Sequence, residues 1–231
     1  GTKLDKAKQL VKRAQEIEAV VKPAPEAAER SNLDAEYLAA VEAGDTATAQ
    51  RMVDEAAKRA GYTTPRLFRG SVEDDGVVLP KSFEAGGGIF LTDNEDVAGI
   101  FTYPREYGEV ITSRYDEDLG EDVDIEPGPV LRAYARLTNP LTLTRETTPD
   151  SEDFVRKTGV QSRTIKSAQA AGHDGIVVKD TEEGVGDWME EGTTYVVFEP
   201  NQVKSAEPVT RDDSGNVIPL SQRFNAASPD I

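Results

Sequence analysis

There is no cysteine in this 231-residue chain, so disulfides and thiolate metal sites are excluded and the redox compartment stays open. A single histidine, His173, rules out a multi-histidine metal centre, and no metal is expected. Aromatic residues make up only 6%, with one tryptophan, and no apolar run is long enough to span a bilayer. No signal-peptide pattern is present, so the expectation is a soluble cytoplasmic protein without a membrane partner. Basic residues are scarce: 26 Lys and Arg face 43 Asp and Glu, a net charge of −17. Such a surface repels phosphates and argues against nonspecific nucleic-acid binding, while an acidic DNA mimic stays open. What is there suffices for one sizeable core with solvated arms around it.

Helical spacing opens the chain. Leu4, Ala7, Leu10, Val11, Ala14, Ile17 and Val21 predict an amphipathic helix over residues 3–21, ended by Pro23 and Pro25. A second helix is expected from about Leu33, capped by Ser31 or Asn32 and stopped at Gly44. A third begins after Asp45 and runs to Gly61, making a helical hairpin with the second. No reactive side chain lies on their apolar faces, so packing is their expected role.

From Tyr62 the period changes. Short strands are expected at Arg66–Ser71, Glu109–Ser113, Val130–Leu137, Leu141–Leu143, Ile176–Val178 and Thr194–Phe198, with helices at about 151–158 and 161–171. Two acidic stretches read as loops. Residues 115–128 hold seven carboxylates but lack the spacing of alternating ligands and central glycine of a calcium loop, so a solvated, mobile loop is expected. Asp180–Gly192 is the other, and the polar tail from Glu207 reads as extended over the surface or partly disordered.

The pivotal stretch is residues 86–101. Glycines 86–88 lead into the strand Ile89–Leu91, then an acidic, amide-rich turn, then a helical stretch with Val97, Ile100 and Phe101 on one face. Asp93 or Asn94 is the expected N-cap. The fold class is α+β: a split β core preceded by helices.

Taken together, Arg69-Gly70-Ser71, the run Gly88-Ile89-Phe90-Leu91-Thr92 with Ala98 and Phe101, and Thr194 to Gln202 resemble the ADP-ribosyltransferase superfamily. The resemblance is greatest to the ADP-ribosyltransferase-like domains of phage and prophage polyvalent proteins. Those often carry the phrases found here at residues 171–177 and 198–205, and the tail over 213–225 is similar to the segment after such domains. The resemblance implies a split sheet clasping NAD+, which is substrate rather than resident cofactor. It also implies four segments: an N-terminal helix and linker (1–30), a helical hairpin packed on the core (31–61), the ADP-ribosyltransferase-like domain (62–206) and an extended tail (207–231).

By position, the resemblance makes Arg69 the residue that holds the NAD+ ribose or phosphate, and Gly70 the backbone partner of the nicotinamide amide, with Ser71 beside it. Phe90 and Thr92 are cofactor-contacting positions on the second strand. Phe101, with Tyr103 as second choice, would stack on the nicotinamide ring. The family's catalytic glutamate begins the strand where this chain has Thr194. A carboxylate there steadies the oxocarbenium-like state of glycosidic cleavage, and a hydroxyl brings no charge. Glu190 and Glu191, upstream on the acidic loop, and Gln202, past the strand, are the candidate substitutes.

Each residue also has an ordinary reading: Arg69 at a strand end, Phe90 and Phe101 in a core, Thr92 in a cap, His173 in a turn. The expected activity is mono-ADP-ribosylation of a macromolecule, foremost a protein, in the manner of a toxin or effector. The chain would act in the cytoplasm of a bacterial host, with phage delivery as part of a larger chain left open. The alternatives are a catalytically degenerate NAD+- or protein-binding domain of the same fold, and an acidic interaction protein or DNA mimic.

Overall fold

The computed structural model describes residues 25–72, 88–106, 109–144, 162–185 and 188–227. The helices expected over 3–21 and 151–158 lie outside those residues.

Two helices lead. Helix α1 (Pro25–Glu42) starts eight residues before the sequence suggests. Pro25 can open the helix because the first helical N–H has no partner to lose. Helix α2 (Thr46–Arg59) comes next as expected, its N-terminus capped by Asp45, whose carboxylate accepts from Thr48 N–H at 3.0 Å. Lys58 and Arg59 sit at its negative C-terminal end.

Seven strands form one mixed sheet. In chain order these are β1 (Leu67–Gly70), β2 (Ile89–Thr92), β7 (Val130–Ala135), β8 (Leu141–Thr144), β9 (Gly175–Val185), β10 (Trp188–Val197) and β11 (Val203–Ser205). Their spatial order is β11-β7-β1-β2-β10-β9-β8, antiparallel throughout except for β8 beside β9. Strands β3 (Arg105–Glu106) with β4 (Glu109–Val110), and β5 (Ser113–Asp116) with β6 (Glu121–Asp124), form two separate hairpins.

The sheet is split as expected, though not severed. β1 pairs with β7 over four residues, yet meets β2 at a single position, Phe68 opposite Thr92. Helix α3 (Glu95–Ile100) packs beside this junction, and α4 (Ser162–Ala170) covers the other end of the sheet. Alternation along the strands sends Leu67, Ile89, Leu91, Ala133, Val197 and Val203 into one core. Ile176, Val178, Val196 and Phe198 face the other way, under Ile165 and Ala168 of α4.

Three polar stretches are more ordered than their composition suggests. The acidic run over 115–128 contains hairpin β5–β6, and the Glu109–Ser113 strand is broken into β4 and the start of β5. Much of Asp180–Gly192 is strand: β9 runs on into it as far as Val185, which pairs opposite Trp188 of β10. Thr181, one of β9's added residues, is buried, so this extension is partly anchored in the core.

Part of the tail after Ser205 packs on the leading helices. It ends in α5 (Leu220–Arg223), with Leu220 and Phe224 buried against Tyr37, Met52, Val53 and Tyr62. Arg223 is buried there too, donating to Ser205 O (3.2 Å), Glu207 O (2.6 Å), Pro208 O (3.4 Å) and Tyr37 Oη (3.1 Å). Among the described residues no helix is long and apolar enough to cross a membrane.

Candidate active site

The site grows from the end of β1. Ser71 donates its N–H to Pro129 O at 3.0 Å, on the β7 side. Successive N–H groups of an extended strand point to opposite edges, so that of Gly70 faces the gap towards β2. A Cβ on Gly70 would strike the carbonyl oxygen of Ala98 and come within 3.0 Å of the Phe101 Cβ. Glycine is therefore required by close approach: the backbone of β1 lies directly against the end of α3.

Helix α3 is fixed by the turn before it. Asn94 is the N-cap, accepting from Asp96 N–H at 2.9 Å, and its amide donates to Glu191 O on β10 at 2.8 Å. Thr92 Oγ1 accepts from Asn94 N–H at 3.2 Å. Asp93 does a different job. Its carboxylate accepts from Thr193 N–H at 2.7 Å, and its own N–H donates to Thr193 O at 3.2 Å. The turn is thus strapped to β10 where that strand bulges between Gly192 and Thr194. Phe101 is the C-cap of α3, and 36% of it is exposed.

Arg69 reaches from β1 across the gap, and its Nη1 donates to the Phe90 carbonyl at 3.2 Å. Arg69, Gly70, Ser71 and Phe101 therefore share one place, where the sheet halves part. Thr92 lies next to it and directly opposite Thr194 in the β2–β10 ladder. Phe90 contributes its carbonyl there, while its ring packs on the core under α4. Tyr103, two residues past Phe101, is partly buried.

The remaining candidates fare differently. Thr194 is only 4% exposed. Its hydroxyl lies 3.3 Å from that of Thr181, whose one proton goes to Gly192 O at 2.7 Å. Glu190 and Glu191 are not on a loop free to swing, because both are strand residues opposite Glu183 and Glu182. Gln202 is buried at the far end of β10 with all its polar capacity used. Its Oε1 accepts from Phe198 N–H (3.0 Å) and Glu199 N–H (2.8 Å), and its Nε2 donates to Arg136 O (3.2 Å) and Asp174 O (2.7 Å). It is a clamp on the chain reversal after β10, so it is withdrawn as a catalytic candidate. His173 serves its turn, with Nδ1 3.1 Å from Asn139 O.

Two residues at this place escaped the sequence reading. Asp93 stood there only as one of two possible caps. Tyr195, the residue after Thr194, is partly buried; burial raises its phenol pKa and the nearby Asp93 charge raises it further. Among the described residues no cluster of three or more His, Cys, Asp or Glu is placed to hold a metal ion.

The model of one protein family, described as "ADP-ribosyltransferase in polyvalent proteins", matches residues 66–211, well over half of the chain. The chain belongs to this family. No curated protein and no solved structure matches it. The matched span of this ADP-ribosyltransferase domain begins just before β1 and takes in every strand of the sheet, Arg69 and Thr194 included. The leading helices and α5 lie outside it. Membership implies use of NAD+, the donor of ADP-ribose.

Proposed function

We propose that the domain is an NAD+-dependent mono-ADP-ribosyltransferase acting on a macromolecule, foremost a protein. The bond between the nicotinamide nitrogen and the ribose C1′ breaks and its electron pair leaves with nicotinamide. An acceptor nucleophile then bonds to C1′ and gives up its proton. The observation that carries this reading is the close approach of Gly70 to the end of α3, beside the Arg69 guanidinium and the partly exposed Phe101. This place suits a flat amide-bearing ring, with Phe101 to stack on it and the Gly70 N–H to meet its amide oxygen. Arg69 suits the ribose or a phosphate of the dinucleotide.

A second reading has its own support. Thr194 occupies the strand position of the family's catalytic carboxylate, and it is buried and turned to Thr181. A domain of this kind that binds NAD+ without turnover fits that observation.

One assay separates the two. Labelled NAD+ incubated with the protein in a bacterial lysate should leave label on an acceptor, and Arg69→Ala should reduce labelling at least about a hundredfold while the circular dichroism stays unchanged. A melting shift with NAD+ but no label or nicotinamide release supports the binding-only reading. Neither label nor shift removes both.

A further inference from the structure

One row of residues crosses the sheet at the single position where its halves pair. Thr194 of β10 lies opposite Thr92 of β2, Thr92 opposite Phe68 of β1, and Phe68 opposite Arg132 of β7. Residues directly opposite one another share a face, so Arg132 and Thr194 stand on the same face, one in each half. The chain then turns from Thr92 into α3, and its next three residues grip both halves. Asp93 and Asn94 hold β10, as described above. Glu95 is tied the other way: its Oε1 accepts from Arg132 Nη2 at 2.9 Å. We propose that Arg132 is a positioning residue for NAD+, which acts through Glu95 to set where α3 holds Phe101 against Gly70. The inference rests on the NAD+ reading above.

Three features set this ion pair apart from an ordinary surface one. It bridges the halves where strand pairing joins them at one position only, so a small interaction there has little to compete with. The Arg132 guanidinium is also held from behind, since its Nη1 lies 3.9 Å from Glu207 Oε1. Finally, α3 has little room to shift without consequence. Its far end lies against the Gly70 backbone, and Thr102 O accepts from Gly128 N–H at 2.9 Å just ahead of β7. A tilt allowed at Glu95 therefore changes how Phe101 meets Gly70. Both partners are about half exposed, so the pair adds little to global stability. Its effect falls on the placement of the helix, and so on the readiness of the site for a flat ring.

Calorimetric titration with NAD+, run beside urea melts of the full chain, tests this. Arg132→Met keeps the length of the side chain and removes its charge. It should raise the Kd for NAD+ about threefold to tenfold while the urea midpoint stays nearly unchanged. Glu95→Gln should do the same, and the double variant should bind no worse than the weaker single one, because both remove one tie. Arg132→Lys should keep most of the wild-type affinity. Glu207→Gln takes a charge from the same guanidinium on its other side and should leave the Kd within about twofold. A loss in Arg132→Met without one in Glu95→Gln would mean that Arg132 meets the dinucleotide itself, and would overturn the positioning role. Additive losses, or losses that only follow the urea midpoint, would overturn it too. Wild-type protein that fails to bind NAD+ removes the NAD+ reading and this inference together; undiminished binding in every variant removes the inference alone.

Discussion

At Gly70 a single hydrogen atom decides the geometry of the site. A methyl group there would run into the carbonyl of Ala98 and crowd Phe101, and the obstruction is backbone that cannot rotate away. Gly70→Ala should therefore lower stability by about 1–3 kcal/mol in urea melts and weaken NAD+ binding at least as much as it weakens the fold. Gln202 makes the opposite case. All four of its hydrogen bonds are structural, so Gln202→Ala should cost about 2–4 kcal/mol of stability by leaving buried groups unpaired. Nicotinamide release per folded molecule should be unchanged, and a selective loss of release would return Gln202 to the catalytic candidates. The sequence could not separate these two residues by role. A glycine's need for space and a glutamine's satisfied bonds both depend on neighbours far away in the chain.

Between elements, much was legible because it is local. The cap before α3, the glycine–strand–turn–helix order and the run Thr194–Phe198 each arise from the preferences of adjacent residues. The β9–β10 extension was missed for the same reason. Its acidic, glycine-bearing sequence disfavours a strand alone, and pairing along the hairpin with a buried Thr181 overrides that preference. Asp174 shows another long-range tie. Its carboxylate accepts from the Thr138 hydroxyl at 2.7 Å and from the N–H groups of Thr138 and Asn139, fixing the turn into β8 against the start of β9. Partial burial alone would raise its pKa, but these donors outweigh it and hold the pKa below the ordinary carboxylate value. A lowered folded-state pKa gives stability that is present above about pH 4, where the unfolded carboxyl is ionised, and lost as pH falls through the folded value. Asp174→Asn should thus cost about 1 kcal/mol at pH 7, discounted for partial solvation, and the gap from wild type should close as melts are taken towards pH 2. A gap that stays constant with pH would discount the ionised form.

For the whole molecule, the division that matters is between the family domain and the helices packed beside it. Helices α1 and α2 precede the matched span and α5 comes after it, yet the three share one core with Tyr62, just ahead of that span, and with Tyr134 and Ala206 inside it. Arg223 is one polar tie between them. Burial pulls its pKa down, while Tyr37 and Glu207 hold the charge in place. Arg223→Met should lower stability by about 2–3 kcal/mol, since three carbonyls and the Tyr37 hydroxyl lose a donor together. If chain ends beyond the domain are only passengers, that substitution will leave the urea midpoint where it was. None of this was readable in the tail, whose composition is that of a solvated arm; Leu220, Arg223 and Phe224 take their meaning from a surface formed nearly two hundred residues earlier.

The lone register position joining β1 to β2 has a mechanical consequence. Elsewhere the strands are laced by consecutive pairs, so the sheet is stiff across its width but has one seam with a single stitch. Bending concentrates there, and α3, whose packing spans both sides of the seam, is the splint that sets how far the two panels swing. Anything wedged at Gly70 pushes on that splint first, so filling the seam would be felt at the Asp93–Asn94 strap before it reached any other part of the fold.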